Sequence, residues 1–370
     1  MRFSFHTMIM LAYVIPNIYL FFRIWKLFIT KKYIVIYVLA YLSIFSIFPL
    51  SDIIENYTIS NCLEAISLYL LPFYLYLFLF TLAFDIFLLL NIFLKILSKS
   101  KLKNPQFMKY ILLILTSASA IVVVAGVINF NTVRVSEYSI EVPARQSTAN
   151  NLKIAFVADF HIDTNTPERF INSFVEKTNS LSPDIVLFGG DIVEGRNTAD
   201  LESRTNILKQ ISAPYGAFGI VGNHEYYRGQ EKGDFFVNAG IELLRDTAIL
   251  IADKFYLAGR LDSHFEDRKT VEELLQTIAD TLPLIMLDHR PTELLEVAKT
   301  KTDIQLSGHT HNGQLFPLNF ILKKMYILSY GYKKIENTNF FVTSGIRLWR
   351  YPLRTTGKSE IMVINVKFVK

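Results

Sequence analysis

Charge is scarce in this chain of 370 residues: Asp, Glu, Lys and Arg together make up 19%, against 51% hydrophobic and 14% aromatic residues. With a mean hydropathy of +0.30, that balance argues against a disordered or purely soluble protein. Cysteine is nearly absent, and the single Cys62 excludes an intrachain disulfide and any multi-cysteine metal site. Basic charge is also missing from where nucleic acid would need it. Residues 1–130 hold ten Lys/Arg against four Asp/Glu, which leaves 28 against 29 in the remainder. A nearly neutral C-terminal part offers no basic stripe to a phosphate backbone, whereas cations beside apolar runs suit the flanks of membrane segments. No repeat or low-complexity tract interrupts the chain.

What the chain does have is long apolar runs. Four stretches, at residues 7–25, 33–50, 65–94 and 110–130, are each near or above the twenty or so residues that cross a bilayer. They are expected to form a four-helix transmembrane region over residues 1–130. The first is read as a mature helix and not as a signal peptide, because no small-residue cleavage site follows it and three more spans do. Arg23, at the end of span one, stands with Lys26, Lys31 and Lys32 on the side of the loop to span two, and Lys95, Lys99, Lys101, Lys103 and Lys109 lie between three and four. Both loops should be cytoplasmic. The stretch 51–64 carries Asp52, Glu55 and Glu64 and no cation, so it belongs on the opposite face with everything after Phe130. The expectation is an integral protein of the cell membrane with an extracytoplasmic C-terminal domain. It depends on the long third span being one tilted helix, since two short passes there would reverse the domain. Asp85, a lone acid within that span, is expected to pair with a polar neighbour or to lie near the cytoplasmic interface.

Residues 131–150 turn polar and mixed, and the alternation over 133–142 reads as an edge strand leading into a domain at 151–370. Short apolar runs follow at 154–157, 185–188, 218–221, 255–258, 284–287 and 304–306, alternating with helical segments. Thr166, Pro167 and Glu168 open one helix, and Thr270 with Glu272 and Glu273 opens another. Uninterrupted strand runs imply sheets covered on both faces, hence an α/β domain layered with helices.

Chemistry is concentrated at the strand ends. Asp159 and His161 follow the first run, Gly189-Gly190-Asp191 the second, and Gly222-Asn223-His224-Glu225 the third. Asp288 and His289 follow a later one, and the run 308–314, Gly-His-Thr-His-Asn-Gly-Gln, follows the last. Loops at the carboxyl ends of strands are where α/β sheets build sites. Five of the seven histidines fall in these loops, and only His6 and His264 do not. One Asp or His after a strand is ordinarily a helix cap or a satisfied polar residue; five such elements in succession are not. Imidazole, carboxylate and amide oxygen without thiolate suit a divalent ion such as Mn, Fe or Zn.

The succession D-x-H, G-G-D, G-N-H-E, a lone histidine and G-H-T-H resembles the calcineurin-like metallophosphoesterases, over residues 152 to about 345. The resemblance implies a two-sheet β-sandwich flanked by helices that hydrolyses phosphate esters or pyrophosphates with two divalent metal ions. Carried over position by position, it implies Asp159, His161 and His311 on one metal and Asn223, His289 and His309 on the other. Asp191 would bridge them, and His224 would meet the phosphate and assist the leaving group. The physics of such a site is coherent: two ions about 3.5 to 4 Å apart can share one carboxylate and one water and bring that water's pKa near neutrality. Neutral Asn223 limits anionic charge near a phosphate, and the turn at Thr310 and Asn312 can orient the imidazoles. His224 can be protonated near neutral pH and so can donate to a leaving group. Glu225 is read as orienting His224 or its loop.

The last motif, with the apolar stretch 315–322 and Ser-Tyr-Gly-Tyr at 329–332, is similar to a membrane-associated subgroup of that family, some of whose members cleave lipid-linked pyrophosphates. Phe316, Leu318, Phe320, Ile321 and Leu322 can dip into an interface with Lys323 and Lys324 on headgroups, and can equally be core. Arg347, Arg350 and Arg354, interleaved with Trp349 and Tyr351, suit a substrate phosphate or acidic headgroup, and equally a solvated basic face. The reading is a membrane-bound phosphohydrolase that uses metal-activated hydroxide on a lipid-linked or phospholipid-like substrate, with no nucleic-acid and no obligate protein partner evident. Two alternatives stand beside it. One is the same chemistry on a soluble phosphomonoester or phosphodiester, with the helices as anchor. The other is a noncatalytic receptor or scaffold with a structural metal site, which would have no chemical need of His224.

Overall fold

The computed structural model describes residues 5–54, 56–194, 201–226 and 233–370, so Glu55 lies outside the described residues. The chain divides into two compact units, Met1–Ile128 with Arg350–Leu353, and Asn129–Trp349 with Arg354–Lys370.

The first unit is built from α1 (Phe5–Phe28), α2 (Ile34–Phe45), α3 (Ile47–Ile53), α4 (Tyr57–Leu94), the short α5 (Lys99–Lys103) and most of α6 (Pro105–Asn131). Among the described residues three helices, not four, are long and apolar enough to cross a membrane: Lys31–Ser51, Thr58–Leu94 and Pro105–Asn131. The expected first span falls on α1, where Asn17, Arg23 and Lys26 interrupt the apolar run. The expected third span is one continuous helix of 38 residues. At 1.5 Å per residue it is about 57 Å long, nearly twice the hydrocarbon core, so in a bilayer it would have to tilt or project. Much of the stretch 51–64 is therefore helix and not loop. Tyr13, Leu20, Phe48, Tyr74 and Leu77 form the unit's interior, while Val35, Leu39, Leu89, Phe93, Leu113 and Ile121 face outward. Asp85 is not isolated. The Tyr19 hydroxyl and the Arg23 guanidinium of α1 both donate to its carboxylate, which neutralises an acid that apolar surroundings would otherwise penalise.

The second unit contains β1 (Arg134–Pro143), β2 (Asn151–Val157), β3 (Ile185–Gly189), β4 (Ala217–Ile220), β5 (Glu242–Leu243) and β6 (Thr247–Ile251). After them come β7 (Phe255–Gly259), β8 (Leu284–Leu287), β9 (Ile304–Ser307), β10 (Gly331–Ile335), β11 (Thr338–Val342) and β12 (Glu360–Val369). Two six-stranded sheets result, ordered β1-β12-β2-β3-β4-β5 and β10-β11-β9-β8-β7-β6. Both are mixed: β2 to β5 run parallel and so do β7, β8, β9 and β11, while β12 is antiparallel to β2 and β6 and β10 are antiparallel edge strands. The alternation over 133–142 does form an edge strand, β1, paired in parallel with β12.

Helices α7 (Glu168–Ser180), α8 (Glu202–Leu208), α9 (Asn223–Tyr226), α10 (Gly233–Asn238), α11 (Val271–Leu275), α12 (Leu294–Val297) and α13 (Leu318–Met325) complete the unit. The period-2 alternation of strands divides the side chains among layers. Ile154 and Phe156 of β2 meet Leu187, Ile220, Leu257, Leu287 and Leu306 between the sheets. Ala155 and Val157 turn the other way, onto Phe174, Leu208 and Phe236 of α7, α8 and α10. Leu284 and Met286 of β8 likewise pack on Leu274, Leu275, Leu294 and Val297 of α11 and α12. The architecture is helix, sheet, sheet, helix, with the strand runs buried on both faces. Thr270 caps α11 in a capping box with Glu273. The other expected cap differs: α7 starts at Glu168 behind Pro167, and the Thr166 hydroxyl donates instead to Asp163.

Candidate metal centre

The loops that follow β2, β3, β4, β8 and β9 meet at one edge of the two sheets. Main-chain bonds knit them together, from Asp159 N to Gly190 O (3.0 Å), His161 N to Asp191 O (3.0 Å) and Gly308 N to His289 O (3.0 Å). Asp159, His161, Asp191, His309 and His311 all have positive φ, between 50° and 71°. Left-handed backbone at residues bearing side chains costs on the order of 1–3 kcal/mol each, and it persists where surrounding structure over-determines it. It turns these side chains back over the strand ends. Gly222 shows how tight the assembly is, because a Cβ there would lie 2.2 Å from Asp191 Oδ1.

Three groups of side chains converge: Asp159, His161 and His311; Asp191, His289 and His309; and His161, Glu194 and His224, with the potential ligand atoms of each group within 4.8 Å of one another. Their internal geometry asks for cations. His289 Nδ1 donates to the Gly189 carbonyl at 2.8 Å, so in a neutral ring Nε2 is bare. That Nε2 lies 3.0 Å from Asp191 Oδ2 and, among the described residues, makes no hydrogen bond. Two lone pairs face each other there unless a proton or a metal ion sits between. In the first group, His161 Nε2 and His311 Nε2 are 3.4 Å apart, Asp159 Oδ1 is 3.9 Å from the latter, and His311 Nδ1 is buried with no partner among the described residues. Donor chemistry and geometry thus fit two divalent ions.

The electrostatics follow. Burial opposes a charge on His289, but the Asp191 carboxylate overrides it and pushes the imidazole up to about 10. Burial, with the neighbouring His289, pushes His309 down to about 3. Burial and His161 likewise hold His311 well below the usual histidine range. Both rings are therefore held in the neutral, ligating form. Asp159 is raised by burial and by Asp191. For Asp191 burial is outweighed by His289, which keeps it ionised.

His224 and Glu194 form the outer part of the cluster. Glu194 takes His161 Nδ1 at 2.7 Å on one oxygen and His224 Nδ1 at 3.2 Å on the other. Burial works against ionisation of Glu194, yet these two bonds bring its carboxyl down to about 2. Burial lowers His224, and the Glu194 bond and the Asp191 charge more than reverse that, so its pKa is raised. Its ring packs against Trp349, with centroids 5.7 Å apart, and its main-chain N–H donates to Asp191 Oδ1 at 2.8 Å. Asn223 is buried in the same turn. Glu225 holds the loops and not the His224 ring: it accepts N–H bonds from Asp191 (3.0 Å), Ile192 (2.5 Å), Val193 (3.0 Å) and Gly222 (2.6 Å).

Other sequence expectations are met differently. The Thr310 hydroxyl donates to the Ser329 carbonyl at 2.6 Å and accepts from Asn312 N, so it fixes the loop backbone and not an imidazole. Arg354 is fully buried and donates to the carbonyls of Gly345, Arg347 and Lys358. Burial pushes its pKa down to about 10. It is a strut of the 345–358 loop, with its bonds spent on the protein. The Arg347 guanidinium lies 4.9 Å from the ring centroids of both Phe130 and Phe170, and Arg350 lies 5.8 Å from that of Phe48 within the helical unit. Three arginines converging on one phosphate is not what the structure shows. Sequence reading missed Glu194, whose one local signal is its place three residues after Asp191. It also missed Asp262, which is buried and accepts from Arg290 Nε and His264 Nδ1, both at 2.7 Å.

Comparison with known proteins finds relatives by sequence. A sequence model of the family described as calcineurin-like phosphoesterase matches residues 152–313. An uncharacterised metallophosphoesterase of Campylobacter jejuni is 30% identical over 98% of both chains. A transmembrane protein with metallophosphoesterase domain from Danio rerio is 28% identical over 74% of this chain and 67% of its own. Among solved structures, a dimetal phosphatase from Danio rerio aligns with 60% of this chain and 94% of its own, at 12% identity and a TM-score of 0.38. By its match to the family model and its full-length relative, the chain belongs to the calcineurin-like metallophosphoesterase family.

Proposed function

We propose that the protein is a membrane-bound phosphohydrolase that cleaves a phosphoester or pyrophosphate bond on a lipid-linked or phospholipid-like substrate, with two divalent metal ions. One observation carries the reading. Asp159, His161 and His311 form one set of potential ligands, and Asp191, His289 and His309 a second set beside it. In this reading Asn223 completes the second set and Asp191 lies between the two. Bound there, the ions would supply Lewis acidity and a nucleophile drawn from water at neutral pH. The chain's own residues do the rest. Asp191 and Asp159 balance the positive charge. Neutral Asn223 avoids a further anion beside the substrate phosphate. His224, its proton held by Glu194 and Asp191, donates to the departing oxygen.

The test uses the full-length protein in detergent, with an aryl phosphomonoester and an aryl phosphodiester as substrates and Mn added or chelated. Turnover should require metal, and D191N and H224A should each lower it by about 100-fold or more. H224A should keep its metal content, whereas D191N should lose metal. Metal-replete protein that turns over neither these substrates nor detergent-dispersed lipid phosphates would overturn the reading. A preference for lipid over soluble substrate supports the lipid assignment, and the reverse order rejects it.

A further inference from the structure

Among the described residues, the amphipathic helix α13 has no core to pack on. α7, an equally amphipathic helix of the same unit, buries Ile171, Phe174, Val175 and Thr178 against a sheet. In α13 no residue is buried. The segment 316–327 is pinned at each end by a buried leucine, Leu315 and Leu328, and between them it carries Phe316, Phe320, Ile321 and Met325 at 45%, 54%, 55% and 68% exposure. Leu318, Ile321 and Met325 share one face at helical spacing. Phe316 and Phe320 stack edge to face beside them, with centroids 5.7 Å apart. The expectation that this stretch can be core is therefore set aside.

A contiguous apolar surface of this kind on a folded domain marks an interaction site, and the chain itself points to the occupant. Lys323 and Lys324 lie in the last turn, and the Lys323 ammonium reaches back to 6.0 Å from the Phe320 ring centroid. From Ile304 to Ile335 there are four lysines and no acidic residue. Apolar anchors flanked by lysines match a lipid surface bearing anionic headgroups. A bilayer is also within reach by covalent connection, since α6 ends at Asn131 and β1 begins at Arg134. We infer that α13 and the segment around it are an interfacial anchor, seated at the boundary of headgroups and acyl chains in the membrane that holds the protein. The consequence for the metal centre is direct. α13 follows the turn His311–Gly313, and its backbone at Asn319 comes so close that a Cβ on Gly313 would meet Asn319 N at 2.6 Å. A seated α13 thus holds the His311 loop at the lipid surface. This last consequence rests on the hydrolase reading, and the anchoring does not.

The test places a nitroxide on single cysteines of the full-length chain carrying C62S, at F320C, I321C and M325C, with V237C on α10 as the water-exposed control. Proteins are reconstituted in nanodiscs of equal parts phosphatidylcholine and phosphatidylglycerol, and collision with oxygen and with a water-soluble nickel chelate is read by power saturation. The expected result is loss of nickel access at 320, 321 and 325, with oxygen access retained and position 237 unchanged. Nickel access at the three sites equal to that at 237 would overturn the proposal. Shielding from both probes that vanishes at one chain per disc would assign the face to a second copy and overturn it too. K323Q with K324Q should shift the labels toward water in these discs. No shift would reject the headgroup pairing. Repeating the measurement in D191N separates the two readings, because the depth should not change whether or not the enzyme turns over.

Discussion

Glu194 accepts from His161 on one oxygen and from His224 on the other, so a single carboxylate sets the tautomer of two rings. Each Nδ1 carries the proton, and each Nε2 is left for what lies beyond it. The same charge keeps a proton on His224, whose pKa is raised above its ordinary 6.5. The proton is therefore in place below that raised value and is lost as pH climbs through it, and turnover that needs the donor falls on that alkaline limb. E194Q removes the charge and sets an amide against one of the two N–H groups, so the limb should move to lower pH. A pH–rate profile of both proteins checks this, and an unmoved limb would remove Glu194 from the proton's control. Glu225 acts on the backbone instead. E225Q would turn an NH2 toward main-chain donors that the carboxylate now satisfies. Leaving them unpaired in a buried site should cost about 1–3 kcal/mol, read as a lower unfolding temperature in detergent, and it should weaken metal retention through the displaced Asp191.

Pairing between elements governs the helical unit in the same way. Arg23 of α1 and Asp85 of α4 neutralise each other, so R23L alone strands a carboxylate in apolar surroundings while R23L with D85L removes both charges. The single change should cost roughly 3 kcal/mol more than the double, measurable as a difference in unfolding midpoints. Equal losses would mean that the pair contributes nothing. This bond was not legible in the sequence, because Arg23 reads as a loop cation until the register of α1 against α4 is known. The strands that carry the candidate ligands were legible, since each is a short apolar run followed by an Asp, Asn or His of the candidate site. By contrast β12 pairs with β1 and β2 far back in the chain, and nothing local marks it as their neighbour. The edge strand β10 exposes Tyr332, Lys333 and Lys334 and has no apolar run to read. α13 presented two solutions because an amphipathic octet has the same sequence whether its apolar face meets a sheet or a membrane. Arg354 misled for a related reason: composition shows a guanidinium and not the three carbonyls that take it up.

At the scale of the whole molecule, having three candidate spans and not four does not alter the side on which the metal centre should lie. That side is decided by the last basic loop and the one crossing after it. Lys95, Lys99, Lys101 and Lys103 lie between the helices Thr58–Leu94 and Pro105–Asn131, and such a loop is expected in the cytoplasm. Because Thr58–Leu94 is one uninterrupted helix, no extra pass reverses the count. On that expectation a single crossing through Pro105–Asn131 would put residues 134–370 outside, and α1 would affect only where the N-terminus lies. In intact cells expressing C62S protein, a membrane-impermeant maleimide should label V237C. K101C, in the basic loop, should react only after the membrane is permeabilised. The opposite pattern would place the metal centre in the cytoplasm and show that the lysines do not set the orientation. If the expected pattern holds, the ligand set is loaded from the extracytoplasmic metal pool. Its six imidazole and carboxylate donors impose little selection among Mn, Fe and Zn, so the metal content of protein purified from cells should follow the metals supplied in the medium.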